Sequence, residues 1–235
     1  MLIVKGRRGE VAIRKYRHGG LLRRFTGDLF IFGARPFQEV AVTEEARSAG
    51  VPTLEILAAI KERVWGGWYR GYLITAYLPA ALDLVYYLER QQVGTKRRVV
   101  IEKAAEAVRK IHERGVYHAD LHLKNFLVEE AQGIKVYLID FDKSKVFSRL
   151  DTSRRMKNLK RLDRSAEKLK GYGLSLPRRD KAIFCRAYAS GDQEIRHYMK
   201  IFLERYRWYS LLYRWGWRIA RIFYPRHNPW RKSIT

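Results

Sequence analysis

Alternating apolar and polar positions predict short strands in the first 79 residues of the chain. Strands are expected at residues 2–4, 10–16, 29–32 and 71–78. From Pro36 the apolar positions instead follow a helical spacing, and Ala49-Gly50 is a typical helix end. Residues 54–64 fit either a strand or a helix. The pattern therefore predicts a small, mostly antiparallel sheet that carries one helix and stops at Pro79.

Helical periodicity dominates the chain after Pro79. The second predicted helix has apolar residues at 101, 104, 108 and 111, which lie on one face, and Gly115 follows it as a stop. Helices are expected at residues 81–90, 97–114, about 150–170 and 194–224. The predicted organisation is a small sheet lobe, a mainly helical lobe and a basic, aromatic C-terminal helix, at residues 1–79, 80–190 and 191–235.

Composition adds a strong positive charge to this picture. The 235 residues include 48 Lys and Arg against 24 Asp and Glu, which gives a net charge of +24. Such a charge attracts nucleic acid, anionic lipid or phosphorylated substrates. No apolar run reaches the roughly 18 residues of a membrane span, and the N-terminal apolar run is too short for a signal peptide. Together with a single cysteine, Cys185, these features predict a cytoplasmic protein.

Candidate chemistry concentrates in residues 116–143. Two apolar strands are expected there, at 126–128 and 136–139, joined by a polar turn at Gln132-Gly133. A cluster of polar side chains precedes the first strand, and another follows the second. They are His118, Asp120, His122 and Asn125 before the first strand, and Asp140 and Asp142 after the second.

The spacing of this polar set is typical of phosphoryl transfer from ATP. Asp120 and Asn125 are five residues apart, and Asp140 follows fifteen residues later. A kinase needs one carboxylate to orient the acceptor hydroxyl and take its proton. It also needs a carboxylate and an amide to hold Mg²⁺ against the phosphates. Each residue alone also suits a structural role, but the complete set favours catalysis by Asp120, with Asn125 and Asp140 as metal ligands.

Departures from the protein-kinase pattern indicate which class of kinase the sequence fits. Ala119 replaces the Arg of regulated protein kinases, Asp142 replaces the Gly of Asp-Phe-Gly, and no Ala-Pro-Glu motif follows. His122 stands where protein kinases usually place Lys, and His122 with Lys124 are candidates to stabilise the transferred charge. These features favour a small-molecule or lipid-sugar kinase.

The small lobe offers candidates for nucleotide binding. Val-Ala-Ile-Arg at 11–14 places Arg14 where a kinase needs a cation on the phosphates, with Glu39 as its expected partner on the helix. Lys15 is a second candidate, although a regular strand turns it to the opposite face. Kinase geometry places adenine against the backbone of 75–78, including Tyr77. Only nine residues precede Glu10, so either the Gly-rich nucleotide lid is reduced or the chain starts further upstream.

The sequence resembles the lipopolysaccharide core kinases, and among them the 3-deoxy-D-manno-octulosonic acid (Kdo) kinases. The similarity spans roughly residues 10–170 and is most specific in RPFQE at 35–39 and LIDFDKSK at 138–145. Other matching segments are IRKYRHGGLLRRFTGD at 13–28, AGVPT at 49–53, HADLHLKN at 118–125 and NLKRLDRS at 158–165.

The resemblance implies an α+β, protein-kinase-like fold of two lobes: a small antiparallel-sheet N-lobe and a mainly helical C-lobe. It implies ATP and Mg²⁺ as cofactors and an anionic, lipid-linked inner-core sugar as substrate. It also implies a place at the cytoplasmic face of the bacterial inner membrane. In that family the residue matching Asp120 is the catalytic base, and Asn125 and Asp140 would hold the metal.

Basic and aromatic residues alternate in the C-terminal segment. Arg196, Lys200 and further arginines share one predicted helical face, with aromatic residues on much of the other. This suits a bilayer surface, but it equally suits a helix that packs on the large lobe. Two alternative functions remain open: a heptose or other small-molecule kinase on the same scaffold, and a basic membrane- or nucleic-acid-binding protein without turnover. Nucleic acid is disfavoured because no binding motif is present. No oligomeric state is indicated.

Overall fold

The computed structural model describes residues 1–6, 9–18, 27–91 and 93–201. A sheet lobe and a mainly helical lobe are joined by residues 77–81. The predicted C-terminal helix is described as helical from 193 to 201, and the rest of that prediction lies outside the described residues. The observed architecture agrees with the predicted α+β class.

The small lobe is built on an antiparallel sheet of five strands: β1 (Leu2–Gly6), β2 (Gly9–Lys15), β3 (Phe30–Ile31), β4 (Ile56–Trp65) and, at its centre, β5 (Trp68–Ala76). β5 pairs with β2, β3 and β4, and β1 pairs with β2 at the edge.

The segment that fitted either a strand or a helix is the strand β4. A tight turn at Gly66-Gly67 folds β4 back onto β5 and pairs Trp65 with Trp68. Long-range pairing with β5 satisfies its backbone, which local sequence preference alone did not specify.

Helix α1 (Arg35–Ser48) connects the sheet to the large lobe. Pro36 lies in its first turn, where the missing N–H costs nothing. The helix buries Glu39, Val42 and Ala46, so one carboxylate lies among apolar side chains. A small cluster of Tyr16, Phe30, Tyr69 and Leu73 fills the rest of this lobe.

The large lobe surrounds the helix α3 (Thr95–Glu113), which is buried along one face. That face includes Ala104, Val108 and Ile111, as its 3.6-residue periodicity predicts. The elements are β6 (Leu82–Asp83), α2 (Leu84–Arg90), α3 (Thr95–Glu113), β7 (Val116–Tyr117), a 3₁₀ turn (Leu123–Asn125), β8 (Phe126–Glu129), β9 (Lys135–Leu138), β10 (Lys145–Val146), α4 (Thr152–Lys170) and α5 (Arg178–Ala189).

Gly115 is required where α3 turns into β7. Its φ of 85° is in the left-handed region, and a Cβ there would lie 2.0 Å from the carbonyl oxygen of Phe147. The Phe147 N–H donates to the Gly115 carbonyl at 2.9 Å. Gly115, which was predicted to end the helix, therefore also allows the backbone at Phe147 to pack closely against it.

A buried ion pair fixes α3 against α5. Arg97 donates to the carboxylate of Asp180 and to three backbone carbonyls, so the buried guanidinium has several partners. Among the residues described, no helix is both long and apolar enough to cross a membrane.

Candidate active site

His118 links the two polar segments that the sequence singled out. Its Nδ1 accepts a hydrogen bond from the backbone N–H of Asp120 at 3.2 Å. Its Nε2 therefore carries the proton and donates to the carbonyl of Ile139 at 3.1 Å. Burial lowers the pKa of His118 to about 4, so the ring is neutral at pH 7. A neutral histidine thus positions Asp120 beside the residue that precedes Asp140.

Helix α4 holds the backbone of His118 through Asn158, which is fully buried. The Asn158 Nδ2 donates to the His118 carbonyl at 2.6 Å, and its Oδ1 accepts the His118 N–H at 3.2 Å. The same Oδ1 accepts from Nε2 of His112 at 3.0 Å. Tyr188 donates to the other nitrogen of His112 at 2.7 Å. The polar chain formed by His118, Asn158, His112 and Tyr188 thus has hydrogen-bond partners within the core.

Asn125 connects the catalytic-loop candidate to the metal-turn candidate. Its amide nitrogen donates to the Asp120 carbonyl at 2.9 Å, and its own carbonyl accepts the Ile139 N–H at 2.9 Å. The nitrogen acts as a donor, so the side-chain oxygen is the atom available to a cation. Paired β8 and β9 place this amide and Asp140 on the same cleft.

Asp140 lies at a sharp backbone turn. Its φ of 64° is in the left-handed region, which Asp tolerates better than most residues. The next side chain, Phe141, is buried and contacts the ring of His118, with 5.0 Å between ring centroids. The buried phenylalanine anchors the turn and leaves the Asp140 carboxylate, 38% exposed, at the cleft.

Arg14 on β2 connects the two lobes. Its Nη1 donates to Asp140 Oδ1 at 2.6 Å, and its Nη2 lies 2.5 Å from both oxygens of Glu39. Tyr16 also donates to Glu39. Burial alone would lower the pKa of Arg14, but Glu39 and Asp140 outweigh it and the pKa is raised. The structure therefore brings the predicted cation, its helix partner and a predicted metal ligand together.

Lys15 is not brought to this cluster. Its side chain pairs with Asp28, and its ammonium lies 5.6 Å from the ring centroid of Tyr72. Successive residues of a strand point to opposite faces, so Arg14 in the cleft requires Lys15 outside it. The prediction that Lys15 binds the nucleotide is not supported by this placement.

A cleft of about 280 Å³ lies between the lobes. Its walls include Arg14, Glu39, Asn125, Asp140 and Tyr77. An amide oxygen and a carboxylate are hard ligands that suit Mg²⁺, and the nearby guanidinium suits phosphate. These residues fit a magnesium–nucleotide complex.

Tyr77 lines this cleft, but its backbone N–H is already used. It donates to the carbonyl of Glu10 at 2.9 Å, and the N–H of Ala76 donates to Glu55 at 2.9 Å. Adenine recognition at 75–78 would therefore have to use other backbone groups of this segment.

Asp120 is exposed, with 59% of its side chain accessible, and two cationic or polar side chains flank it. Arg161 Nη1 lies 3.3 Å from Oδ1, and His122 Nε2 lies 3.4 Å from Oδ2. Lys124 follows on the 3₁₀ turn. The candidate base thus lies in contact with His122 and Arg161, and its backbone carbonyl accepts the side chain of Asn125, which lines the cleft.

Three residues that contact the candidate site were not assigned a role from the sequence: Arg35, Asn158 and Arg161. Arg35 pairs with Asp142, where protein kinases have glycine. Arg35 lies in the RPFQE segment, and the other two lie in NLKRLDRS. Both segments are among those that resemble the kinase family. The resemblance therefore indicated that these segments matter, but not which residues they contact.

A solved structure supports the fold. The structure titled "WaaP in complex with acyl carrier protein" superposes with a TM-score of 0.61 at 22% identity, covering 95% of this chain and 84% of that chain. The fold is of the protein-kinase type, and the two candidate metal ligands, Asn125 and Asp140, line its interlobe cleft.

Sequence comparisons define the family. Residues 2–188 match the model of the lipopolysaccharide kinase (Kdo/WaaP) family, and the chain belongs to that family. The 3-deoxy-D-manno-octulosonic acid kinase of Vibrio cholerae is 34% identical over 67% of this chain and 65% of its own length. The protein of the same name from Pasteurella multocida is 33% identical over 66% of this chain and 65% of its own length. The matched region thus spans about 65% of the length of these relatives.

Proposed function

We propose that this chain transfers the γ-phosphoryl group of ATP to a hydroxyl of a Kdo sugar on a lipid A precursor. The observation that carries the proposal is a pair of hydrogen bonds at His118, which accepts from the Asp120 N–H and donates to the Ile139 carbonyl; they fix the candidate base beside the candidate metal turn. Family membership and the Kdo-kinase relatives support the choice of acceptor.

Each residue has a distinct task in this reaction. Asp120 accepts a hydrogen bond from the sugar hydroxyl and takes its proton as the phosphoryl group is transferred. Asn125 and Asp140 would hold Mg²⁺, which neutralises charge on the phosphates when bound. Arg14, held by Glu39, supplies a fixed positive charge at the same phosphates.

The test is phosphate transfer from labelled ATP to a purified Kdo–lipid A precursor. Asp120→Asn should lower turnover by roughly 10²–10⁴-fold, the usual contribution of a general base. Because the Asp120 side chain is 59% exposed, the variant should unfold at the same denaturant concentration as the wild type. Full activity of the variant would overturn the role of Asp120, and an inactive wild type would overturn the choice of acceptor.

A heptose or another small-molecule hydroxyl is the competing acceptor. The same assay with heptose-containing core oligosaccharide separates the two. Mass spectrometry of lipid A core from cells with and without this protein gives the independent answer, since a missing phosphate on Kdo identifies the product.

We also propose that the protein works as a peripheral protein at the cytoplasmic face of the inner membrane. Support comes from the lipid-linked acceptor of the proposed reaction and from the net charge of +24, which favours anionic surfaces. Flotation with anionic and with neutral vesicles is the test. Binding to the anionic vesicles alone, lost at high salt, is expected; no difference between the two would count against it.

A further inference from the structure

The exposed face of α4 carries a row of basic side chains. All five members of the row are exposed: Arg154, Lys157, Arg161, Arg164 and Lys168. At 3.6 residues per turn they fall within roughly 80° of the helix circumference, and they extend over about 21 Å. The opposite face is buried in the core and includes Met156, Leu159 and Leu162. The row is therefore a continuous cationic surface; hereafter it is called the α4 basic face.

Arg154 pairs with Asp151, which directly precedes α4, but the acidic residues within α4 pair with lysines outside this face. Asp163 pairs with Lys181 of α5 at 2.7 Å, and Glu167 pairs with Lys170 at 3.3 Å. Like charges arranged in one row repel one another, and an anion bound along the row relieves that repulsion. The arrangement thus favours an extended partner that carries several negative charges.

The α4 basic face is connected to the candidate base at its middle. Arg161 reaches Asp120, and α4 also supplies Ser165, whose hydroxyl accepts the N–H of Leu123 at 3.2 Å. Together with Asn158, these contacts fix the helix beneath the loop that bears Asp120. An acceptor hydroxyl that reaches Asp120 therefore brings its neighbouring groups onto this face.

The contact between Arg161 and Asp120 is suited to exchange. At 3.3 Å it is longer than the roughly 2.7–2.9 Å of a strong charge-assisted hydrogen bond. About half of each side chain is exposed, so solvent weakens the attraction. An incoming anion can take the guanidinium and leave Asp120 Oδ1 for the acceptor hydroxyl.

We propose that the α4 basic face binds the anionic acceptor, with Arg161 on the carboxylate of the acidic sugar and the outer residues on the phosphates of its lipid anchor. This rests on the proposed function and deepens it. The carboxylate belongs to the same sugar as the reacting hydroxyl, so its partner must lie next to Asp120. The lipid phosphates are further away, which suits the ends of the row.

The experiment measures binding and turnover with two acceptors, a Kdo–lipid A precursor with its phosphates and the same molecule after their removal. Acceptor affinity is measured in detergent micelles without ATP, and KM and kcat are measured with ATP. Arg161→Gln should raise the Kd and KM of both acceptors by about tenfold or more, with the KM of ATP unchanged. Lys157→Gln combined with Lys168→Gln should raise these constants for the phosphorylated acceptor alone.

Arg98→Gln is the matched control, because Arg98 is an exposed arginine paired with Glu102 on α3. The proposal is overturned if Arg161→Gln binds both acceptors as Arg98→Gln does, or if it lowers kcat at unchanged Kd. It is also overturned if the double lysine variant loses binding to anionic phospholipid vesicles while its acceptor Kd stays normal, since the face would then dock on the membrane. A wild type that binds the Kdo acceptor without phosphorylating it would refute the proposed reaction, and the binding data would still decide the role of the face.

Discussion

Arg35, the first residue of α1, forms a two-point ion pair with Asp142, two residues after Asp140. Its Nε donates to Oδ1 at 2.6 Å, and its Nη2 donates to Oδ2. The guanidinium also lies 4.9 Å and 5.2 Å from the ring centroids of Phe30 and Tyr16. Asp142 stands where protein kinases have a glycine, so this chain uses that position to tie the metal-turn candidate to the helix that carries Glu39.

Removing either partner of this pair should loosen the site. Both side chains are mostly buried, at 16% and 20% exposure, so an uncompensated charge is costly. Arg35→Met and Asp142→Asn should each lower the free energy of unfolding by about 1–3 kcal/mol, and kcat should fall with them. The double variant should lose less than the sum, which chemical denaturation of all four proteins measures. Strictly additive losses would show that the pair does not act as a unit.

Substitutions at Arg14 and Lys15 should have very different effects. Arg14→Met removes the cation from the cleft and should raise the KM of ATP and lower kcat, by about 100-fold in kcat/KM. Lys15→Met, on the other face of β2, should change kcat/KM by about twofold or less. Steady-state kinetics with ATP as the varied substrate measures both. Arg14→Met also leaves the buried Glu39 carboxylate without its cation, so Arg14→Lys is the folding control. Equal losses of kcat/KM in the Arg14 and Lys15 variants would contradict the placement of Arg14 in the cleft and Lys15 outside it.

Asp140→Asn should weaken metal dependence. The carboxylate is one of two proposed Mg²⁺ ligands, and an amide is a poorer partner for a hard dication. The Mg²⁺ concentration for half-maximal activity should rise by about tenfold or more, which a Mg²⁺ titration at saturating ATP measures. Asp192→Asn is the control, because Asp192 accepts a hydrogen bond from the Ile195 N–H far along the chain. An unchanged titration curve in Asp140→Asn would remove Asp140 from the metal site.

Asn158→Ala should destabilise the protein and slow the reaction. The substitution leaves the backbone N–H and carbonyl of His118 and the Nε2 of His112 without their buried partner, whereas Tyr188 still contacts the other nitrogen of His112. The expected loss is about 2–4 kcal/mol in the free energy of unfolding, with a lower kcat and a nearly unchanged KM for ATP. Ser153→Ala, at an exposed position on the same helix, is the matched control. A variant as stable as that control would show that the polar chain has little energetic role.

Stability should fall as the pH drops below neutrality. Burial lowers the pKa of His118 to about 4 and that of His112 to about 3, from an ordinary value of 6.5. The unfolded chain therefore binds more protons between these values and 6.5, so stability is complete above pH 6.5 and decreases below it. Each histidine should contribute about 1–2 kcal/mol of loss between pH 7 and pH 5.

Urea denaturation at both pH values measures this loss. His112→Gln should remove roughly half of it, whereas His197→Gln, at an exposed position, should leave the pH dependence as it is. An identical pH dependence in His112→Gln and the wild type would contradict the assignment to the buried histidines.

Much of the fold was predictable because its signals are local. The helical periodicity of residues 97–114 and the stop at Gly115 gave α3 to within two residues. The ambiguity at 54–64 arose because β4 is an exposed strand with little alternation, and only its pairing with β5 decides its structure. Long-range hydrogen bonds are not encoded in any single window of sequence.

The sequence by itself determined the kinds of chemistry present. The spacing of Asp120, Asn125 and Asp140 indicated a phosphotransfer site, and the basic composition indicated an anionic partner. These inferences need only residue types and their separations, both of which can be read directly from the sequence. They named candidate site residues but not the contacts that these residues make.

Tertiary structure alone decided which charges meet. Arg14 and Asp140 are 126 positions apart in sequence, and Arg35 and Asp142 are 107 apart, yet each pair is in hydrogen-bond contact. Lys15, adjacent to Arg14, pairs elsewhere because a strand sends neighbouring side chains to opposite faces. Burial then set the neutral state of His118, since desolvation acts only once the core has formed around it.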